Sequence, residues 1–180
     1  MWGVRAEETE QPLPCDRYLT DADDAYWRAI DVRAPVADVY RWLCQLRIAP
    51  YSYDWIDNFG RTSPRELVPG LDAIAAGQRV MTIFRVAEQR RDSHITIVLA
   101  TPRARAIFGD IAITYAVTPI AGGTRLAVKV LVRYPCRGVW SCMRALLPWG
   151  DLIMMRKQLL TLKALAERNR SPVLEKGVHP

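Results

Sequence analysis

Between Asp151 and Arg168 apolar residues recur at the helical period more regularly than elsewhere: Leu152, Met155, Leu159, Leu162 and Ala166 fall on one stripe, which Met154 and Leu165 widen. The spacing predicts a helix that begins at Asp151, whose carboxylate can accept from the open amides of the first turn. Pro148 is expected to prevent extension toward the N-terminus. Gln158 falls inside the apolar arc, whereas Arg156, Lys163 and Glu167 share a polar side. A polar side chain in that position needs a partner or a cavity.

Elsewhere the period falls to two, the spacing of half-buried strands. Ala25–Arg33 places Tyr26, Arg28, Ile30 and Val32 on one face, so Arg28 either finds an anionic partner inside or reaches outward from the strand end. Gln78–Glu88 is apolar on both faces and does not decide which way Arg85 points. Ser93–Ala100 turns Ile95, Ile97 and Leu99 inward and His94 outward, and Asp110–Val117 turns Tyr115 inward with Ile111, Ile113 and Val117. After a turn at Pro119–Gly123, Thr124–Tyr134 buries alternate residues from Leu126 to Tyr134 and sets Arg125, Lys129 and Arg133 on the other side, expected to be solvated.

Two further helices are predicted. Val36–Leu46 follows Pro35, with Val36, Val39, Tyr40, Leu43 and Leu46 on its apolar face. Val139–Leu147 is short and amphipathic, and packs on its own domain unless it meets a membrane interface. Residues 1–24, with Pro12, Pro14 and many acids, read as a flexible acidic lead-in in which Cys15 has no packing role. Residues 25–168 then form the folded domain, and 169–180 a tail.

The stretch from Ala49 to Leu67 breaks both periods. Tyr51, Tyr53, Trp55 and Phe59 are interleaved with Asp54, Asp57 and Asn58. Aromatic rings with polar handles suit a pocket wall, and they equally suit a loop pinned onto the domain by its rings.

Composition bounds the chemistry. A chain of 180 residues, half of them hydrophobic, can bury one substantial core. Residues 1–24 hold seven acids and two bases, so the net charge of +6 leaves +11 for the rest, most of it arginine. The arginines are dispersed and no nucleic-acid module is present, so nucleic acid is not an expected partner. The four cysteines and two histidines have no metal-binding spacing, which predicts reduced thiols, no metal and no cofactor. No apolar run approaches the roughly 20 residues of a membrane span, and the first residues lack the apolar core of a signal peptide, so a cytoplasmic protein is expected.

Strands joined by short turns and segregated from the helices predict an α+β fold, an antiparallel sheet covered by the long C-terminal helix. The segment RAPVADVYRWL, the hairpin TYAVTPIAGGTRLAVKV and the closing helix resemble the helix-grip, START-like superfamily, which includes pollen-allergen-like proteins, polyketide cyclases and lipid-transfer domains. APYSYDWIDNFGR and LLPWGDLIMMRKQLLTLKALAE further resemble a bacterial branch of it. The resemblance covers residues 25–168 and implies a curved sheet gripping the helix around an internal, mainly apolar cavity. It implies binding or transport of a hydrophobic small molecule, lipid or polyketide-like, with Tyr51, Tyr53, Trp55, Tyr115, Met154, Gln158 and Leu162 as lining. The alternative is a cyclase or dehydratase-like enzyme, for which Asp54, Tyr115, Arg85 and Arg28 are the acid/base candidates. No catalytic motif of an enzyme branch can be matched residue by residue.

Overall fold

The structure, a computed structural model, describes residues 1–52, 62–135 and 143–168, with side chains in the last segment from Trp149 onward except at 151. Six strands form one antiparallel sheet in the order β1-β6-β5-β4-β3-β2: β1 (Asp24–Val32), β2 (Arg79–Val80), β3 (Phe84–Arg90), β4 (His94–Leu99), β5 (Asp110–Ile120) and β6 (Gly123–Arg133). Among the described residues the helices are α1 (Ala6–Thr9), α2 (Val36–Cys44), α3 (Pro102–Phe108) and α4 (Met143–Arg168). Sheet and segregated helices make the expected α+β architecture, with α2 and α4 against the inner face.

That face holds the main core. Val32, Ile95, Ile97, Ile113, Tyr115, Leu126, Val128 and Val130 meet Val39, Tyr40, Trp42 and Leu43 of α2 and Met155, Leu159, Leu162 and Leu165 of α4. These are the residues that period two and period 3.6 place inward. Burying the four large α4 side chains contributes on the order of 6 to 12 kcal/mol before chain entropy is counted.

Three local expectations are corrected. The long helix does not begin at Asp151 but runs unbroken from Met143, so the predicted Val139–Leu147 helix is in part its first turns, and Pro148 lies inside it. A proline removes one amide from the ladder, and the tertiary packing of the turns beyond it outweighs that loss. Gln78–Glu88 is not one strand. Met81 (φ 46°) and Thr82 (φ 65°) reverse the chain, closed by the Ile83 amide on the Met81 carbonyl at 2.7 Å. A turn without Gly, Pro, Asn or Asp carries no compositional signal. Finally α3 occupies a stretch to which periodicity assigns nothing, although its punctuation is present: Thr101 caps the Ala104 amide at 3.3 Å, Pro102 follows, and Gly109 ends it at φ 80°.

The largest correction concerns residues 1–24, which are packed, not loose. Trp2 bridges to the β1 edge, its amide on the Trp27 carbonyl at 3.2 Å and its carbonyl accepting from Ala29 at 3.0 Å. A 3₁₀ turn at Pro14–Arg17 lays Cys15, fully buried, on the outer face of the sheet with Leu19, Val98, Ala112 and Leu131. The Cys15 amide donates to Thr114 Oγ1 at 2.9 Å, and Thr114 in turn shares a hydrogen bond with Thr96. Cys15 therefore does have a packing role.

The same segment, with Asp31 and Asp110 of the sheet, pairs the basic row of β6, in which Arg125 and Lys129 are largely covered and Arg133 stays partly exposed. Arg125 binds both oxygens of Glu8 at 2.7 Å and Asp31 at 3.0 Å; Lys129 meets Asp16 at 2.5 Å; Arg133 is paired with Asp21 and Asp110. The three cations are four residues apart on one strand face, and three acids of the first 24 residues follow them in the same order. Charge complementarity thus sets the register of the strap along β6.

Candidate functional site

Where β5, the middle of α4, the end of α2 and the chain after it converge, a polar set lies inside the apolar core. The Tyr115 hydroxyl, on a fully buried side chain, donates to Gln158 Oε1 at 2.8 Å. Gln158 Nε2 donates to the Pro50 carbonyl at 2.6 Å and touches Met81 Sδ at 3.5 Å. Met155 Sδ is 3.9 Å from the Tyr115 hydroxyl. Ser52 Oγ closes the same junction by donating to the Met154 carbonyl at 3.1 Å. Both amide hydrogens of Gln158 are engaged, and its Oε1 keeps one acceptor position beyond Tyr115.

The backbone around this amide is strained. Tyr51 (φ 56°), Met81 (φ 46°) and Thr82 (φ 65°) adopt the left-handed region, which costs a side chain about 1 to 2 kcal/mol. Two segments that carry this strain, Pro50–Tyr51 and Met81–Thr82, supply the two contacts of Gln158 Nε2. Tyr51 is buried edge-on against Trp42, with ring centroids 5.9 Å apart, and the Met81 amide is tied to the Leu46 carbonyl at 3.1 Å. Trp42 of α2 and Leu46 of the 3₁₀ turn that follows it therefore hold the two segments in place.

The predicted residues divide around this junction. Tyr51, Tyr115, Gln158 and Leu162 are buried in or beside it. Met154 is half-buried and contributes its backbone carbonyl, while Met155, one position on, brings its sulfur to Tyr115. Arg85 is exposed: Val86 takes the inward position on β3, and alternation sends its neighbour to the other face. Tyr53, Asp54 and Trp55 lie outside the described residues. Pro50 and Met81 are the members that the sequence does not mark. One acts through its carbonyl and the other through a turn without the usual turn residues.

A second polar group sits on the inner face toward the start of β1. Tyr26 and Tyr134 share a hydrogen bond between their hydroxyls, and Tyr26 reaches Asp24 Oδ2 at 3.1 Å. Burial, reinforced by Tyr26 and Asp24, pushes the Tyr134 phenol well above its ordinary value, so it stays protonated. Arg28, only 2% exposed, donates to the Trp27 carbonyl at 2.8 Å and lies 5.8 Å from the Tyr26 ring centre. Its side chain does not escape outward. Among the described residues a pocket of about 270 Å³ lies on the opposite face, between the strap and the start of β5. Its lining includes Arg17, Arg105 and Arg133, which are paired with Glu88 and Asp110, and it is distinct from the junction around Gln158.

An antiparallel sheet closed over by a long C-terminal helix defines a helix-grip fold, and solved structures agree. The chain is similar to protein MLL2253 from Mesorhizobium loti, at 14% identity and a TM-score of 0.54, over 83% of this chain and all of that one. It is also similar to protein CV1439 from Chromobacterium violaceum, at 16% identity and a TM-score of 0.50, over 79% of this chain and 96% of that one. A di-domain ARO/CYC protein, StfQ, from the steffimycin biosynthetic pathway aligns at 14% identity and a TM-score of 0.49 over 87% of this chain and 54% of its own. The likenesses to MLL2253 and CV1439 support the fold. No protein-family model and no curated protein matches the sequence.

Proposed function

We propose that the chain binds a hydrophobic small molecule, lipid or polyketide-like, between the inner face of the sheet and α4. One observation carries the reading: a hydrogen-bonded pair, Tyr115 and Gln158, is placed within an otherwise apolar core at the junction of sheet, helix and two strained segments. A polar pair so placed can orient one polar group of a ligand whose remaining surface is apolar. Tyr51 and Leu162 supply apolar wall, and Tyr53 and Trp55 follow in sequence from the same segment. The acid/base enzyme reading keeps fewer supports, because Arg85 is on the exposed side of β3 and Tyr115 is already engaged by an amide. The apolar surroundings of the pair support this class of ligand.

Native mass spectrometry of the purified protein, with organic extraction and a panel of fluorescent lipids and polycyclic aromatics, tests the proposal. A single bound molecule, displaced by a competitor and weakened in Tyr115→Phe, is expected. Absence of bound mass and of saturable binding across the panel overturns it.

A further inference from the structure

The outward face of α4 has a composition unlike that of an ordinary solvated helix. Trp149 is 69% exposed, Ile153 54% and Leu160 38%, and these are three of the six large hydrophobic residues left open on the described surface. At 100° per residue they fall within about 40° of one another, over roughly 16 Å of helix. Among the described side chains from Trp149 to Arg168 the other exposed residues are Arg156, whose guanidinium lies 5.7 Å from the Trp2 ring centre, Lys157, Ala164, and Arg168, which donates to the Arg65 carbonyl. Glu167, the one carboxylate among the described side chains of α4, is turned onto Lys163 at 2.6 Å and the Arg33 amide at 2.7 Å. The face therefore presents three large apolar groups and three cations. Three acids of the strap, Glu8, Asp16 and Asp21, lie on the far side of the sheet, committed to Arg125, Lys129 and Arg133.

We propose that this face of α4 lies on an anionic lipid surface. Tryptophan and branched aliphatic side chains in line, with long basic side chains beside them, are what an in-plane interfacial helix needs. The apolar groups enter the acyl boundary, the indole sits at headgroup level, and the cations stay at the phosphates with their stems lying along the apolar groups. Charge decides between this occupant and a second copy of the chain. A twofold pairing through the stripe would bring Arg156 and Lys157 of both copies together, whereas an anionic headgroup layer neutralises them. The contact does not depend on whether a ligand is carried inside, so it can fail or succeed independently of the proposed function.

The test uses the full chain and vesicles of phosphatidylcholine with and without a third of phosphatidylglycerol, read by co-sedimentation at low salt. Binding to the anionic vesicles, weak binding to the neutral ones, and release by added salt are expected. Arg156→Gln with Lys157→Gln should weaken the anionic partition on the order of thirtyfold, from about fivefold for each cation near such a surface. Ile153→Ser with Leu160→Ser should weaken it at least as much, and since both positions are exposed these variants should keep the circular dichroism and melting of the parent. Failure of the parent to bind anionic vesicles, equal binding to both vesicle types, or unchanged binding by either variant overturns the proposal. So does a dimer in sedimentation equilibrium that Ile153→Ser with Leu160→Ser dissolves.

Discussion

Replacing Gln158 by leucine separates a structural from a ligand-facing role for the amide. Leucine matches much of the volume and keeps the apolar stripe of α4, so the perturbation is chiefly the loss of the amide's hydrogen bonds. The Pro50 carbonyl loses its donor at 2.6 Å, and the Tyr115 hydroxyl loses the acceptor it meets at 2.8 Å, both in a fully buried setting. Each buried polar group deprived of its partner costs about 1 to 3 kcal/mol, and leucine recovers part of this by its own burial, so Gln158→Leu should destabilise the fold by roughly 2 to 4 kcal/mol. Tyr115→Phe should cost about 1 to 2 kcal/mol, since Gln158 Oε1 loses its donor in a buried setting. The double variant should be less destabilised than the sum, with a coupling of about 1 kcal/mol or more, because neither half of the Tyr115–Gln158 bond then remains. Urea unfolding followed by tryptophan fluorescence measures all three. A Gln158→Leu protein as stable as the parent, with additive singles, would refute the reasoning and mean that the amide faces a cavity, not its protein partners.

Two predictions concern the strap over the outer face. Arg125→Ala removes the guanidinium that holds Glu8, Asp31 and the Gly3 carbonyl, and should cost about 2 to 4 kcal/mol in urea unfolding. It should also raise the labelling rate of Cys15 by thiol reagents, read by peptide mass spectrometry, because burial under the strap pushes that thiol up and shields it. A labelling rate equal to that of the parent would contradict the packing of the strap. Stability should also fall in acid. The Arg125 hydrogen bond holds Glu8 below its ordinary value, and at Glu88 hydrogen bonds from Arg17, Tyr18 and His94 outweigh a burial penalty and do the same. Carboxylates lowered in the folded state stabilise it fully above the ordinary carboxylate range and lose that contribution as pH falls through the folded values. Melting temperatures from pH 6 to pH 3 should drop less steeply in Glu8→Gln than in the parent, and equal slopes would count against it.

What the sequence determined by itself is the inner half of this protein. Period two in β1, β4, β5 and β6 and period 3.6 in α2 and α4 select the residues that meet in the core, because a side chain's direction along a regular element is local geometry. Gln158 and Tyr115 were legible as inward polar groups for the same reason, and the resemblance to the helix-grip superfamily led to the correct architecture. Tertiary structure alone decided the rest. Arg125, Lys129 and Arg133 look the same in sequence whether water or another segment covers them, and their pairing with Glu8, Asp16 and Asp21 comes only with the return of residues 1–24 over the sheet, beside the cross-strand partners Asp31 and Asp110. Met81 turns the chain without a turn residue because Leu46, just past α2, holds it there, and Pro148 stays helical because packing of the turns beyond it outweighs one missing amide. In each case the deciding partner lies tens of residues away along the chain, where no local period reaches.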